Sequence, residues 1–274
     1  MPMALSQILL DLRRTRIVER VNRDPRTLGD LTLGVDRQTA MEAINWGQAD
    51  FDESWGNLSP DDRVLLYAYW NQLGHLEELS EAFGQMFGTN RPSEPFIVVD
   101  IGCGPFTGGL AFAGQLASHE CFDYIGVYRS RAMQRLGEQL AIALESMDDT
   151  PRVNCQWASD LRSIIWHAPL GWRPIVVIVS FLLASPSLEV ERLLADLERL
   201  LGTMSRGETT VLYTNSPKAG PNRRFPVFQR DLTNRGFRLV ADDTGPVRTE
   251  RGTRDLRYAL FRRGPARILP LGGN

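Results

Sequence analysis

The chain has 274 residues, of which 43% are hydrophobic and 23% are charged, and its formal net charge is −2. This composition is ordinary for a soluble globular protein and gives one large domain, or a domain with a smaller attachment. No apolar run reaches the length of a membrane helix and no signal-peptide core is visible, so we expect a cytoplasmic protein. Cys103, Cys121 and Cys155 lack metal-type spacing, and their odd number argues against a disulfide framework.

Residues 1–91 are predicted to be mostly helical. Apolar residues recur at helical spacing over residues 5–21. Ser59 and Pro60, followed by two acids, are typical of a capped helix start, because the acids lie at the positive end of the helix dipole. The helix that begins there is predicted to continue to about Met86.

From residue 92 the pattern alternates between strand and helix, which predicts a parallel sheet covered on both faces. The predicted strands span residues 96–100, 123–128, 152–157, 174–180 and 209–214, and two last strands span residues 237–242 and 256–262. The predicted helices span residues 107–117, 130–147, 188–204 (with a cap at 185–187) and 225–235.

Charge is distributed unevenly along the chain. Residues 1–217 carry 18 arginines against 28 acids, whereas residues 218–274 carry 13 basic residues against 5 acids. Such asymmetry indicates an anionic partner such as RNA or a phosphorylated small molecule. The alternative is a solvated sheet edge whose arginines prevent pairing with another edge.

One segment stands out as a candidate ligand site. The predicted strand 96–100 ends in Asp100, and Gly102, Cys103 and Gly104 follow before the next helix. A buried strand, a glycine turn and a helix N-terminus together form a site for a ligand that carries negative charge. Both glycines accept positive φ and let the backbone approach a ligand closely. Another nucleotide-binding turn, or a plain tight connection, would give the same pattern.

In this order, the strand, the acid, the glycine turn and the helix resemble motif I of the class I S-adenosylmethionine (SAM)-dependent methyltransferases. That motif is usually an acid followed by Gly-X-Gly-X-Gly. The resemblance implies an α/β fold, a Rossmann-like sheet with helices on both faces and an antiparallel pair of strands at one edge. It implies a methyltransferase domain over residues 92–263, with residues 1–91 as a helical lid on the substrate side and residues 264–274 as a tail.

The resemblance also implies SAM as the cofactor and a set of residues that bind it. These residues are Asp100, Gly102, Cys103, Gly104, Tyr128, Ser159, Asp160 and Ser180. Within this set, Ser159 and Asp160 are expected near the adenine amine, although Asp160 also fits a helix cap, and Cys103 also fits a packing role. No residue is assigned as the catalytic base. His167 is the histidine expected nearest the cleft, although a surface or packing role is favoured for it.

Two residues depart from the pattern of the family. Tyr128 stands where an acid usually accepts hydrogen bonds from both ribose hydroxyls, and a phenol cannot take that bidentate arrangement. Phe106 replaces the last glycine of motif I, so its ring must point away from the ligand, stack on it or fill its site. The sequence therefore favours a methyltransferase with an unidentified acceptor, either RNA or another anionic substrate. The alternative is a catalytically silent binding or scaffold protein of the same fold.

Overall fold

The computed structural model describes residues 6–88, 95–250 and 252–265, and a seven-stranded sheet lies at its centre. The strand order is β3-β2-β1-β4-β5-β7-β6. The strands are β1 (Phe96–Ile101), β2 (Cys121–Val127), β3 (Arg152–Ala158), β4 (Ile175–Ser180), β5 (Thr209–Asn215), β6 (Arg238–Thr249) and β7 (Gly252–Arg263). Strands β1 to β5 pair in parallel, and β7 pairs antiparallel with both β5 and β6.

This arrangement confirms the predicted fold class, a Rossmann-like methyltransferase sheet with an antiparallel pair at one edge. The five parallel strands lie within two residues of their predicted bounds. The last two strands are longer than predicted, because β6 continues through Gly245 and Pro246. A proline is tolerated there because β6 is an edge strand, where a missing N–H costs no ladder hydrogen bond.

Helices cover both faces of the sheet, as predicted. They are α1 (Gln7–Arg13), α2 (Glu19–Asn22), α3 (Arg37–Ala43), α4 (Pro60–Tyr67), α5 (Leu73–Phe87), α6 (Thr107–Ala113), α7 (Arg131–Glu145), α8 (Val190–Met204) and α9 (Phe225–Asn234). Helices α8 and α9 bury their apolar residues against one face. The N-terminal helices share a single core with α6 and α7 on the other face. The predicted cap at 185–187 is wrong, because α8 begins two residues later than expected, with Glu189 as its N-cap.

The two predicted N-terminal helices each contain a widened π-type turn, over Arg14–Val18 and Ala68–Gln72. Ser59 caps α4 as predicted, in a capping box with Asp62. The Arg13 guanidinium donates to the carbonyls of Ala68 (3.1 Å) and Tyr69 (2.8 Å). Carbonyls at the widened turn thereby gain partners, which a buried backbone requires. The boundary between residues 91 and 92 and most of the predicted tail lie outside the described residues, so the domain division stays a prediction.

The segment between α3 and α4 is fastened at two points. Arg63, which is 6% exposed, donates to the carbonyls of Ala43, Asp50 and Glu53. The Asp52 carboxylate accepts hydrogen bonds at 2.9–3.0 Å from the N-terminus of α7, namely from the Ser130 hydroxyl and from the N–H groups of Arg131 and Ala132. A carboxylate at this position is favoured by the helix dipole. The segment is therefore held against the edge of the sheet where the parallel strands end.

Phe106 points into the core. Its backbone is left-handed, with φ at 65°, and its side chain is fully buried. The ring meets Tyr124 edge-on at a centroid distance of 4.8 Å. A β-carbon at Gly109 would lie 2.0 Å from this ring, so the glycine allows the ring to pack on α6. The sequence allowed the ring to point away from the ligand, to stack on it or to fill its site, and the structure shows the first of these.

This geometry predicts an inverted order of substitutions at Phe106. Phe106→Ala should destabilise the fold by about 4 kcal/mol, because it empties a core site. Phe106→Gly should cost roughly 1 kcal/mol less, because glycine relieves the left-handed backbone. At Phe112, which is equally buried but lies inside α6, the order should be the usual one, with glycine worse than alanine by roughly 1 kcal/mol. Urea unfolding of the four variants measures both orders. If glycine were less stable than alanine at both sites, the backbone of Phe106 would not be strained.

Candidate functional site

A cleft of about 630 Å³ lies at the carboxyl ends of β1 to β4. The chain passes from β1 to β2 and β3 on one side of β1, and then crosses to β4 on the other side, so the strand order reverses at β1. Open parallel sheets bind ligands at such a switch point. The volume is within the range of small-molecule sites.

Five of the eight predicted residues line this cleft: Gly102, Tyr128, Ser159, Asp160 and Ser180. The first three each follow the last residue of a parallel strand directly, and Ser180 ends β4. Parallel pairing places these strand ends side by side, which is why residues far apart in the sequence meet here. The Ser180 hydroxyl accepts a hydrogen bond from the buried Thr214 hydroxyl at 2.8 Å.

The other three predicted residues, Asp100, Cys103 and Gly104, are buried beside the cleft wall. Alternate residues of a strand face opposite sides, and Asp100 shares its side of β1 with the residues that pack on α6. Its carboxylate accepts a hydrogen bond from the Tyr124 hydroxyl at 2.8 Å. A β-carbon at Gly108 would lie 2.2 Å from the same oxygen. The Asp100 carboxyl therefore lies under α6, and its predicted role in binding the cofactor stays a prediction.

Burial determines the ionisation of these inner groups. It raises the pKa of Asp100 to about 7, while the hydrogen bonds from Tyr124 and from the Gly108 N–H act in the opposite direction. Burial also raises the pKa of Cys103 well above its usual value. The Cys103 thiol donates to the Gly104 carbonyl at 3.3 Å. Cys103 is thus a packed, protonated thiol, which agrees with its packing role.

Two phenols lie on the cleft wall. Burial raises the pKa of Tyr128 to about 12, and it also raises the pKa of Tyr67. A β-carbon at Gly104 would lie 3.6 Å from the Tyr67 ring, so Tyr67 covers the glycine turn. Both groups remain protonated at neutral pH and can donate one hydrogen bond each. Tyr67 is not among the predicted residues, because the sequence of the aromatic-rich N-terminal region gives no signal for which ring faces the cleft.

Asp160 lies at the cleft, but the residues after it form a turn and no helix begins there, so its predicted helix-cap role is wrong, while its place near the adenine amine stays a prediction. It lines the cleft, and its Oδ1 accepts hydrogen bonds from the N–H groups of Arg162 (2.8 Å) and Ser163 (2.9 Å). Arg162 pairs with Asp196 at 2.8 Å on the rim. Charges around the cleft are balanced, since three arginines and three acids line it: Arg129, Arg162, Arg192, Asp160, Glu189 and Asp196.

The N-terminal region supplies part of the cleft wall, through residues that the sequence did not single out. Four residues of this region line the cleft: Asn45, Gly47, Gln48 and Ala49. Trp46, which lies between the first two in the sequence, is 73% exposed. Asn45 and Trp46 both have positive φ, at 43° and 53°. Consecutive non-glycine residues in this conformation are uncommon and concentrate at functional sites.

Phe181 forms another part of the wall and also has positive φ, at 55°. His75 from α5 packs on it, with ring centroids 4.5 Å apart. His167, in contrast, is exposed and is not among the residues that line the cleft. The exposure of His167 agrees with a surface role, and His75 is likewise not among the residues that line the cleft.

In the described part of the chain, no three His, Cys, Asp or Glu side chains come together as a metal site would require. Among the helices of that same part, none combines the length and hydropathy needed to cross a membrane.

No model of a known protein family matches this chain, and no curated protein matches its sequence. Among solved structures, it is similar in fold to a SAM-dependent methyltransferase from Leishmania major, at 9% identity over 81% of this chain and 82% of that chain, with a TM-score of 0.47. A SAM-dependent methyltransferase from Methanosarcina mazei has 13% identity over 64% of this chain and 95% of that chain, with a TM-score of 0.43.

A third solved structure is magnesium protoporphyrin IX methyltransferase from Synechocystis PCC 6803 with bound SAM. It has 14% identity over 87% of this chain and 99% of that chain, with a TM-score of 0.42. Identities this low concern the fold and transfer no residue role. The fold assignment rests on the strand order of this chain.

The buried Asp100 carboxyl predicts a pH-dependent stability. Its pKa of about 7 lies above the unfolded value of 3.8, so between these values the folded state binds a proton that the unfolded state does not. Stability should therefore rise as pH falls from 8 to 5, by roughly 2 kcal/mol relative to Asp100→Asn. Urea unfolding of both proteins at the two pH values measures the difference.

Tyr124→Phe is the matched control, since it removes a donor that lowers the pKa of Asp100. This variant should move the same dependence to higher pH. A wild type and an Asp100→Asn variant that respond equally to pH would show that the carboxyl is not desolvated.

Proposed function

We propose that this chain is a SAM-dependent methyltransferase that acts on an unidentified acceptor. The observation that carries the proposal is the cleft at the switch point of a sheet with the strand order of class I methyltransferases. In this fold, a ligand bound there meets the glycine turn after β1 and the ends of the next three parallel strands.

The residues of the cleft fit a nucleoside cofactor with an amino-acid tail. Gly102 has φ at 79°, a conformation that leaves the backbone open to close approach. In this proposal, Ser159 and Asp160 contact the adenine, and Tyr128 donates one hydrogen bond to the ribose. Ser180 contacts the end that carries the methyl group. Because the charges on the rim balance, they do not repel a sulfonium cation.

When bound, SAM supplies an electrophilic methyl group on its sulfonium. The protein's contribution to such an in-line displacement is alignment of the two reactants. The strained positions at Asn45 and Phe181 lie on two walls of the cleft. A wall that is held in one conformation restricts the motion of two bound reactants. This supports a role of the cleft walls in aligning SAM and the acceptor.

The arginines of residues 218–274 give limited support for an RNA or other anionic acceptor. Arg224 donates to the Leu183 and Pro186 carbonyls, and Arg263 pairs with Glu198 at 2.8 Å. Such contacts favour the alternative in which the arginines tie the sheet edge to its neighbours. Support for an anionic acceptor comes from the exposed arginines of this segment: Arg223, Arg230, Arg238, Arg248 and Arg254.

A catalytically silent binding protein is the second candidate. Tyr128 replaces the acid that holds the ribose in the family. In addition, a β-carbon at Gly102 would lie 3.2 Å from the Leu182 side chain, so this side chain rests on the glycine turn. If Leu182 and Tyr67 stay in place, they compete with a cofactor for the surface of the turn.

Calorimetric titration with SAM and S-adenosylhomocysteine tests the proposal. The wild type should bind both with micromolar dissociation constants. Ser159→Trp should weaken binding by at least about tenfold, because an indole at this exposed position enters the cleft. Glu138→Trp, on the exposed face of α7, is the control and should bind like the wild type. Absence of binding by the wild type would leave the silent candidate.

Tyr128 variants separate the two candidates further. Tyr128→Asp should tighten SAM binding by about 1–2 kcal/mol, because a carboxylate accepts charge-assisted hydrogen bonds from both ribose hydroxyls. Tyr128→Phe should weaken binding by about 1 kcal/mol, the contribution of one hydrogen bond. The same titration measures both. Binding that the aspartate weakens would place the ribose elsewhere in the cleft.

A further inference from the structure

The two edges of the sheet, β3 and β6, differ in how they are protected. An edge strand carries a row of unpaired N–H and C=O groups, and proteins blunt such edges with charges, prolines or bulges. Strand β6 has all three: Asp242 and Asp243, Pro246, and a register shift between Leu239 and Ala241. These features oppose the pairing of β6 with another strand.

Strand β3 has none of these features. Residues 153–158 read Val-Asn-Cys-Gln-Trp-Ala and include neither a charged residue nor a proline. The pairing of β3 with β2 is regular from Arg152 to Ala158, so no bulge interrupts the strand. An edge of this kind is a template for pairing with a further strand.

The hydrogen bonds at the two ends of β3 show which of its groups face outward. The Arg152 N–H donates to the carbonyl just before β2, and the Ala158 carbonyl accepts from the N–H just after β2. Because successive residues of a strand alternate, the N–H and C=O groups of Cys155 and Trp157 face away from β2. Both residues are partly exposed, and within the described part of the chain no strand pairs with this side of β3.

An exposed apolar side chain lies beside this edge. The connection from β3 to β4 contains Ile165, which is 63% exposed. Gln156 of β3 donates from Nε2 to the Ile165 carbonyl at 3.3 Å, which holds this part of the connection next to the strand. A strand added at β3 would lie next to Ile165 and shield it from water, which is favourable for an apolar side chain.

A second copy of this chain fits the edge. Two copies of β3 related by a two-fold axis at Gln156 run antiparallel, with Cys155 opposite the partner subunit's Trp157. The outward groups of these residues then exchange both backbone hydrogen bonds of an antiparallel pair. The same register places Arg152 opposite the partner subunit's Asp160, and both residues are exposed. The charges at the two ends of the strand are therefore complementary, and the uncharged residues between them add no repulsion.

We propose that this chain forms a symmetric dimer in which two seven-stranded sheets join edge to edge through β3. The dimer brings Arg152 of the partner subunit to Asp160, which lines the cleft. Each cleft thereby gains a cationic side chain from the other copy at its rim.

Sedimentation velocity over a series of protein concentrations measures the dimer. Cys155→Pro removes one outward N–H from each copy and leaves the bonds to β2 in place, as prolines on edge strands do. It should weaken dimerisation at least about tenfold, because two ladder hydrogen bonds are lost. Cys155→Ala keeps the N–H and is the matched control, which should dimerise like the wild type. A wild type that is monomeric at every concentration overturns the proposal.

Arg152→Glu tests the register without a change in the backbone. It should weaken dimerisation roughly tenfold, because each of its two pairs with Asp160 changes from attraction to repulsion. The effect should shrink as salt rises. Arg238→Glu is the matched control, since Arg238 is also exposed and is the first residue of the other edge strand. Equal dimerisation of the two variants overturns the two-fold axis at Gln156.

Hydrogen exchange resolved by residue tests the wild type, so it decides the matter even if the proline variant does not fold. The amides of Cys155 and Trp157 should exchange more slowly as the protein concentration rises, because they become bonded in the dimer. The amides of β6 should not change. A dimer that leaves both β3 amides unprotected uses another surface and overturns the proposal.

Discussion

The close packing of α6 against β1 is the constraint on which the rest of the structure depends. Gly108 and Gly109 lie where any side chain would meet the Asp100 carboxyl or the Phe106 ring. Because both positions lack a β-carbon, the helix can approach the strand and cover these two groups. The glycine turn between strand and helix is thereby fixed, and its open face is directed away from the core, towards the cleft.

The same constraint explains why an acid and an aromatic ring that belong to the glycine-turn segment lie outside the cleft. Asp100 and Phe106 form one buried cluster with Tyr124, in which the phenol donates to the carboxylate and meets the ring edge-on. A neutral carboxyl suits such a site better than an ionised one, since ionisation would place a charge in a desolvated core. The cluster stabilises the glycine turn from the core side, and the residues that face the cleft, such as Gly102, remain available to a ligand.

The N-terminal helices complete the cleft. Arg63 and Asp52 fasten the segment between α3 and α4, so Asn45 and its neighbours form a wall opposite the strand ends. The cleft thus has one side built by the ends of the strands and another built by a segment that precedes them in the sequence.

The sequence by itself determined the fold and part of the site. Alternating strand and helix signals specify the parallel sheet. The residues that follow β1, β2 and β3 were expected at the cleft because the glycine-turn segment resembles a motif of a known family. Tertiary structure decided the rest. The sequence places Asp100 near the turn, but the face of β1 that α6 covers decides that its carboxyl is buried. Tyr67 could not be singled out, because its place depends on how α4 packs, and packing between elements far apart in the sequence leaves no local pattern.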